Sequence, residues 1–311
     1  MQPPRPTAGL FRANRERLKK LLPPNSVAVV NANDVLPTNA DGTLRLIPNS
    51  DLFYLTGVAQ EESILVLAPD AFDEKQREIL FLREPNELLK TWEGHKLSKD
   101  EAQKVSGIKR VEWLPAFPTI FRQLMCEAEH VCLNSNEHKR ADSAVESRDA
   151  RFVRETQREF PLHQYHRLAR LMHQLRVVKS EQEVELIRHA CAITGKAFRR
   201  VLRKVKPGTG EHEIEAEFAH EFIRSRAKFA YEPIIAAGAN SCVLHYIAND
   251  QPCRKADVLL LDVGACYANY NADLTRTIPV GGKFTRRQRA VYDAVLRVHR
   301  ASINGATVGN R

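Results

Sequence analysis

A carboxylate inside an apolar run restricts this chain more than any other feature. Val258-Leu-Leu-Leu-Asp-Val-Gly264 reads as a buried strand, and Asp262 lies within it. Taking that charge out of water is costly unless a cation or hydrogen-bond donors meet it. Asp273 follows in Tyr270-Asn-Ala-Asp-Leu-Thr-Arg-Thr277, at the start of the next predicted strand. Their 11-residue separation suits neighbouring strands of a hairpin, which would aim both carboxylates into one site. No Asn-Gly or Asp-Gly pair marks a turn between them, so the register stays open. Two readings stand level on spacing alone. In one, the aspartates hold a hard or borderline divalent ion such as Mn²⁺, for which oxygen donors are suited. In the other, Asp262 ends its strand and Asp273 pairs with Arg276.

The surrounding pattern gives a frame for this pair. Ser180 with Glu183 is a capping-box signature. Val184, Ile187, Cys191, Thr194, Phe198, Val201 and Val205 then recur at helical spacing. Lys206-Pro-Gly-Thr-Gly210 stops that helix, and a second is predicted over about 211–226. Strands are predicted over 233–237, 243–246, 257–264 and 273–280, with a last helix from Arg286. The first half alternates strands over 26–30, 63–68 and 78–82 with helices over 98–106 and 119–129, the mark of a mixed α/β domain. A charge-dense stretch over 137–159 reads as a surface loop, and 163–175 as a connecting helix. At 311 residues two domains are expected, drawn here at 1–165 and 166–311.

Several function classes drop out. No apolar run approaches the ~20 residues that span a bilayer, so no membrane partner is expected. The arginine-rich start reads as a surface helix with Leu10, Phe11, Leu18, Leu21 and Leu22 turned inward, ahead of a leader peptide. Six cysteines without CxxC spacing suit thiols in a reducing cytoplasm. The net charge of +9 comes from bases interleaved with acids, without a nucleic-acid motif, so no nucleic-acid partner is expected. P-loop, GxSxG and HExxH patterns are absent. His245, in Cys242-Val-Leu-His-Tyr246, sits on a predicted strand and by itself reads more readily as a core histidine than a catalytic one.

Taken in order, Tyr231, His245, Asp262 and Asp273, with Val243-Leu-His-Tyr246, Leu260-Leu-Asp-Val-Gly264 and Asp273-Leu-Thr-Arg-Thr277, resemble the "pita-bread" metallopeptidases. The nearest resemblance is to the Xaa-Pro aminopeptidase (aminopeptidase P) family. Asn49-Ser-Asp-Leu-Phe-Tyr-Leu-Thr-Gly57, with Glu62 and Ile64–Leu67, resembles its creatinase-type N-terminal domain. Leu89-Lys-Thr-Trp-Glu-Gly94 is similar to its tryptophan segment. The implied fold is an α/β N-terminal domain with a mixed sheet, followed by the first half of an α+β pita-bread catalytic domain.

The resemblance implies two divalent metal ions, usually Mn²⁺, held by two aspartates, one histidine and two glutamates. Asp262 and Asp273 match the aspartates. A hydroxide between the ions would attack the carbonyl of residue one in a peptide with proline second. His245 matches the histidine that hydrogen-bonds substrate. Tyr231 and Trp92 match walls of the proline subsite, with Trp92 acting across a subunit boundary of a homo-oligomer; a core aromatic is the bland alternative for each. The other three ligands lie downstream in the family, and His299 matches none of them. The expectation is therefore a C-terminally truncated fragment with little or no activity by itself. Alternatives are a prolidase, a non-catalytic pita-bread-like scaffold, and a metal-free creatinase-like amidinohydrolase.

Overall fold

Short aliphatic runs in the first half pair into one six-stranded sheet. In this computed structural model, which describes residues 3–141 and 144–310, the strands are β1 (Ser26–Asn31), β2 (Ile64–Leu67), β3 (Glu78–Leu82), β4 (Arg110–Trp113), β5 (His130–Leu133) and β6 (Gln164–Arg167). Their spatial order is β4-β3-β2-β1-β5-β6. β2 pairs antiparallel with β1 and β3, and the remaining pairings are parallel, so the sheet is mixed. Alternate residues feed two cores. Ala28, Val30, Leu65, Leu67, Leu80 and Leu82 pack with Leu18, Leu52 and Met172 on one face. Val27, Val29, Val66, Ile79 and Phe81 pack with Ile120, Phe121 and Leu124 on the other. Strands covered on both faces read as unbroken apolar runs, which is why β1 to β3 are visible in the sequence.

Two expectations for this half change and one holds. The stretch over 137–159 contains a helix, Arg148–Glu159, capped by the Ser147 hydroxyl accepting from Ala150 N–H. Its few apolar residues, Phe152 and Val153, lie against the second core. The predicted connecting helix begins instead as the edge strand β6 and turns helical only over Leu168–Val177. The N-terminal helix, Ala8–Lys19, does bury Leu10, Phe11 and Leu18.

The chain divides into two units, the first Arg5–Gln182 and the second running from Glu183 and including the described residues before Arg5. In the second, helices Glu181–Val201 and Glu211–Arg224 pack with a three-stranded sheet around one core. The first helix buries Leu186, Ala190, Ile193, Ala197, Phe198 and Val201. Thr194, Phe198 and Val201 of the predicted stripe are buried, while Val184 and Ile187 are half-buried and Cys191 is exposed. The strands are β7 (Lys228–Phe229), β8 (Ile234–Ala237), β9 (Val258–Asp262), β10 (Ala265–Tyr267), β11 (Tyr270–Asn271) and β12 (Thr275–Pro279). They form two antiparallel sheets, β12-β9-β8 and β11-β10-β7. A final helix, Arg286–Gly305, starts at a Thr285/Gln288 capping box and buries none of its residues. No helix among the described residues is long and apolar enough to cross a membrane.

Candidate functional site

β9 is not the fully buried strand its sequence predicts. Leu259 and Leu261 are buried, while Val258, Leu260 and Asp262 alternate onto a half-buried face. Asp262 therefore escapes most of the desolvation that a double-sided core would impose. Its register partners are Ile234 of β8 and Thr275 of β12.

Between β9 and β12 the chain makes a tight hairpin. Tyr267 faces Tyr270 across the two-residue loop Ala268-Asn269, whose φ angles are 49° and 62°. Two successive positive φ values give the primed turn that suits strand twist, here without a glycine. Ala272 N–H donates to the Ala265 carbonyl at 2.8 Å, and Val263 N–H donates to the Leu274 carbonyl at 3.1 Å. These bonds draw Asp273 back beside Asp262.

Tyr231 joins them. It lies between β7 and β8, next to Ala230, whose N–H donates to the Gly264 carbonyl at 2.9 Å. Its phenolic oxygen is 2.7 Å from Asp262 Oδ1 and 2.9 Å from Asp273 Oδ1. A phenol has one proton, so the two carboxylates share a single donor. Burial first, and then hydrogen bonds and charge from both aspartates, raise the Tyr231 pKa well above the ordinary phenol value. The hydroxyl thus stays protonated.

No ion pair from a described residue reaches either aspartate. Arg276 gives Nη1 to the Thr275 carbonyl at 2.7 Å, and the Asp273–Arg276 pair does not form. Two like charges converging on one neutral donor repel, and a cation between them relieves this. The donor set thus fits a hard divalent ion, though only in part. Among the described residues no group of three or more His, Cys, Asp or Glu side chains converges to hold a metal.

His245 differs from its prediction in two ways. The segment 243–246 is not a strand; it follows a 3₁₀ turn, Gly238–Cys242, and His245 lies in an exposed turn. Val243 and Leu244 beside it are also exposed, so the apolar neighbours that suggested a core position do not enclose the imidazole. Trp92 belongs to the other unit, on helix Glu87–Glu93, where it is 75% exposed, which removes the core-aromatic alternative. His212 and His220 lie on the solvent-exposed side of their helix. Nothing in the sequence marks Gly264 as a point of closest approach. A Cβ there would lie 1.9 Å from the Ala272 carbonyl oxygen and 3.2 Å from Tyr231 Cε1.

Comparisons with known proteins agree across both units. Residues 185–311 match the model of metallopeptidase family M24, and residues 11–132 match that of the aminopeptidase P N-terminal domain. The chain is 32% identical over 288 residues to the Xaa-Pro aminopeptidase of Escherichia coli, covering 92% of this chain and 65% of the relative. It is 30% identical over 301 residues to that of Haemophilus influenzae, covering 96% and 67%. Among solved structures, the Pseudomonas aeruginosa aminopeptidase PepP superposes with a TM-score of 0.88 at 28% identity, covering 98% of this chain and 69% of that one. The E. coli aminopeptidase P structure with the inhibitor Pro-Leu gives 0.81 at 32% identity, covering 94% and 67%. The chain spans about two thirds of the length of these relatives.

Proposed function

The chain belongs to the aminopeptidase P family of M24 metallopeptidases, and on that premise we propose that it serves the metal-dependent release of an N-terminal residue from peptides with proline in second position. The observation that carries this reading is the convergence of Asp262 and Asp273 on one phenol, without an ion pair from a described residue. We assign the two carboxylates as metal ligands, with Mn²⁺ the preferred ion among those that oxygen donors select. Divalent ions, when bound, lower the pKa of water and polarise a carbonyl. A pair of ions held by five side chains needs a histidine and two glutamates besides this pair.

The protein's own groups have distinct tasks in this reading. Tyr231, kept protonated, holds the two carboxylates side by side. We assign His245, on its exposed turn, to donate a hydrogen bond to the substrate carbonyl and to the oxygen that gains charge as the carbonyl is attacked. The exposed indole of Trp92 suits a proline wall supplied to a neighbouring subunit of a homo-oligomer. The inhibitor Pro-Leu in the E. coli neighbour supports a proline-recognising subsite in the family. Free thiols at Cys126, Cys132, Cys191, Cys242 and Cys253 support a reducing compartment, and we place the protein in the cytoplasm.

The test is peptide hydrolysis by a form of the protein that supplies all five ligands. With Mn²⁺ it should release the first residue of Xaa-Pro peptides longer than two residues, and Asp262→Ala should abolish release. Release that survives Asp262→Ala would overturn the metal assignment. Cleavage confined to dipeptides would point to a prolidase, and no cleavage of any Xaa-Pro peptide would favour a scaffold.

A further inference from the structure

Glu211 is completely buried, yet none of its contacts is a cation. It opens the helix Glu211–Arg224, where the unpaired N–H groups of the first turn favour negative charge. Its four hydrogen bonds come from a single stretch of chain. Oε1 accepts from Ala237 N–H at 2.8 Å and from Asn240 Nδ2 at 3.2 Å. Oε2 accepts from the Tyr246 hydroxyl at 2.7 Å and from Gln251 N–H at 3.0 Å. A carboxylate has about four lone-pair sites, so this one is saturated.

Those donors bracket the turn that carries His245. Ala237 ends β8 before the turn, Gln251 lies after it, and Tyr246 is the residue next to His245. The far end is fixed separately by buried Asn249, which accepts from Ile235 N–H at 3.1 Å and donates to the Pro233 carbonyl at 3.0 Å. Burial, followed by the bond to Glu211, pushes the Tyr246 hydroxyl up to about 12, so it remains a donor at neutral pH. Asp250 Oδ1, at 3.3 Å, is its second and longer contact.

We propose that Glu211 is a positioning residue that sets the place of His245 by holding the Tyr246 hydroxyl and both ends of the exposed turn. The inference rests on the assignment of His245 to substrate binding for its functional meaning, but its test reads the turn itself. Tyr246→Phe removes only the hydroxyl. Glu211→Gln keeps size but turns one acceptor into an NH₂ that faces donors. The probe is the His245 ring in a ¹⁵N-histidine-labelled 311-residue chain, followed by long-range ¹H–¹⁵N NMR and assigned by its loss in His245→Gln.

Both variants should move the His245 signals towards those of an unstructured histidine while leaving the His189 signals in place. Glu211→Gln should also speed amide exchange at Gln251 by at least about tenfold, the worth of one hydrogen bond to a charged acceptor. Adding Tyr246→Phe to Glu211→Gln should shift His245 little further. Unmoved His245 signals in folded variants would overturn the proposal, and Tyr246→Phe alone decides if Glu211→Gln does not fold. A peptidase-active form in which His245→Gln keeps full activity would sink the catalytic assignment while leaving the Glu211 anchor standing.

Discussion

At Gly264 a single hydrogen in place of a methyl group decides whether the hairpin closes around the carboxylate pair. A Cβ at this position would lie 1.9 Å from the Ala272 oxygen, so the strand can pass there only without a side chain. Gly264→Ala should cost about 3 kcal/mol or more by overpacking, lowering Tm by at least about 6 °C. A thermal melt unchanged from the wild type would show that the backbones separate freely. Asp149, in the other unit, gives a pH-dependent counterpart. Burial pushes its carboxyl up to about 6, against weaker opposing pulls from Asn31 and Arg148. The folded state then binds the proton more tightly than the unfolded one, so stability falls as pH rises from about 4 to 6 and stays lower above that. Asp149→Asn should gain about 1–3 kcal/mol at pH 7 relative to wild type and little at pH 4. Urea unfolding at the two pH values measures this, and an equal difference at both would refute it.

The hairpin element is held by a turn in which Asn269 suits the left-handed geometry and Ala268 does not. An alanine in the left-handed region costs on the order of 1 kcal/mol, and Ala268 has a φ of 49°. Ala268→Gly should therefore stabilise the chain by about 0.5 kcal/mol in denaturant unfolding, whereas a loss of stability would argue against the primed turn. The same residues explain why the register of Asp262 and Asp273 was not legible: the turn lacks the Gly that usually announces it. Elements with covered faces were mostly legible, as β1 to β3 and the helix with a Ser98/Glu101 capping box show, while the four-residue interior strand β5 was not. Edge strands were not. β4 buries only Val111, and β6 buries none of its four residues. In the segment around His245, Val243 and Leu244 imitate a strand, but hydrogen bonds accepted by the Glu211 carboxylate and the Asn249 side-chain oxygen hold it as a turn. Contacts of that kind leave no periodic trace.

For the whole molecule, the pattern of motifs in order carried the family, while the number of ligands in hand bounds what these 311 residues can do. Two converging carboxylates, without a third His, Cys, Asp or Glu among the described residues, would on the proposed assignment hold a metal only weakly. The 311-residue chain is accordingly expected to show little or no Mn²⁺-dependent hydrolysis of Xaa-Pro peptides. Robust turnover by the purified chain, measured by release of the first residue, would contradict that. The most direct test of the central assignment needs no turnover. Mn²⁺ binding to the purified chain can be followed by electron paramagnetic resonance and compared with Asp262→Asn and Asp273→Asn. Weak binding that either substitution removes is the predicted result, and identical spectra for all three proteins across the titration would contradict it.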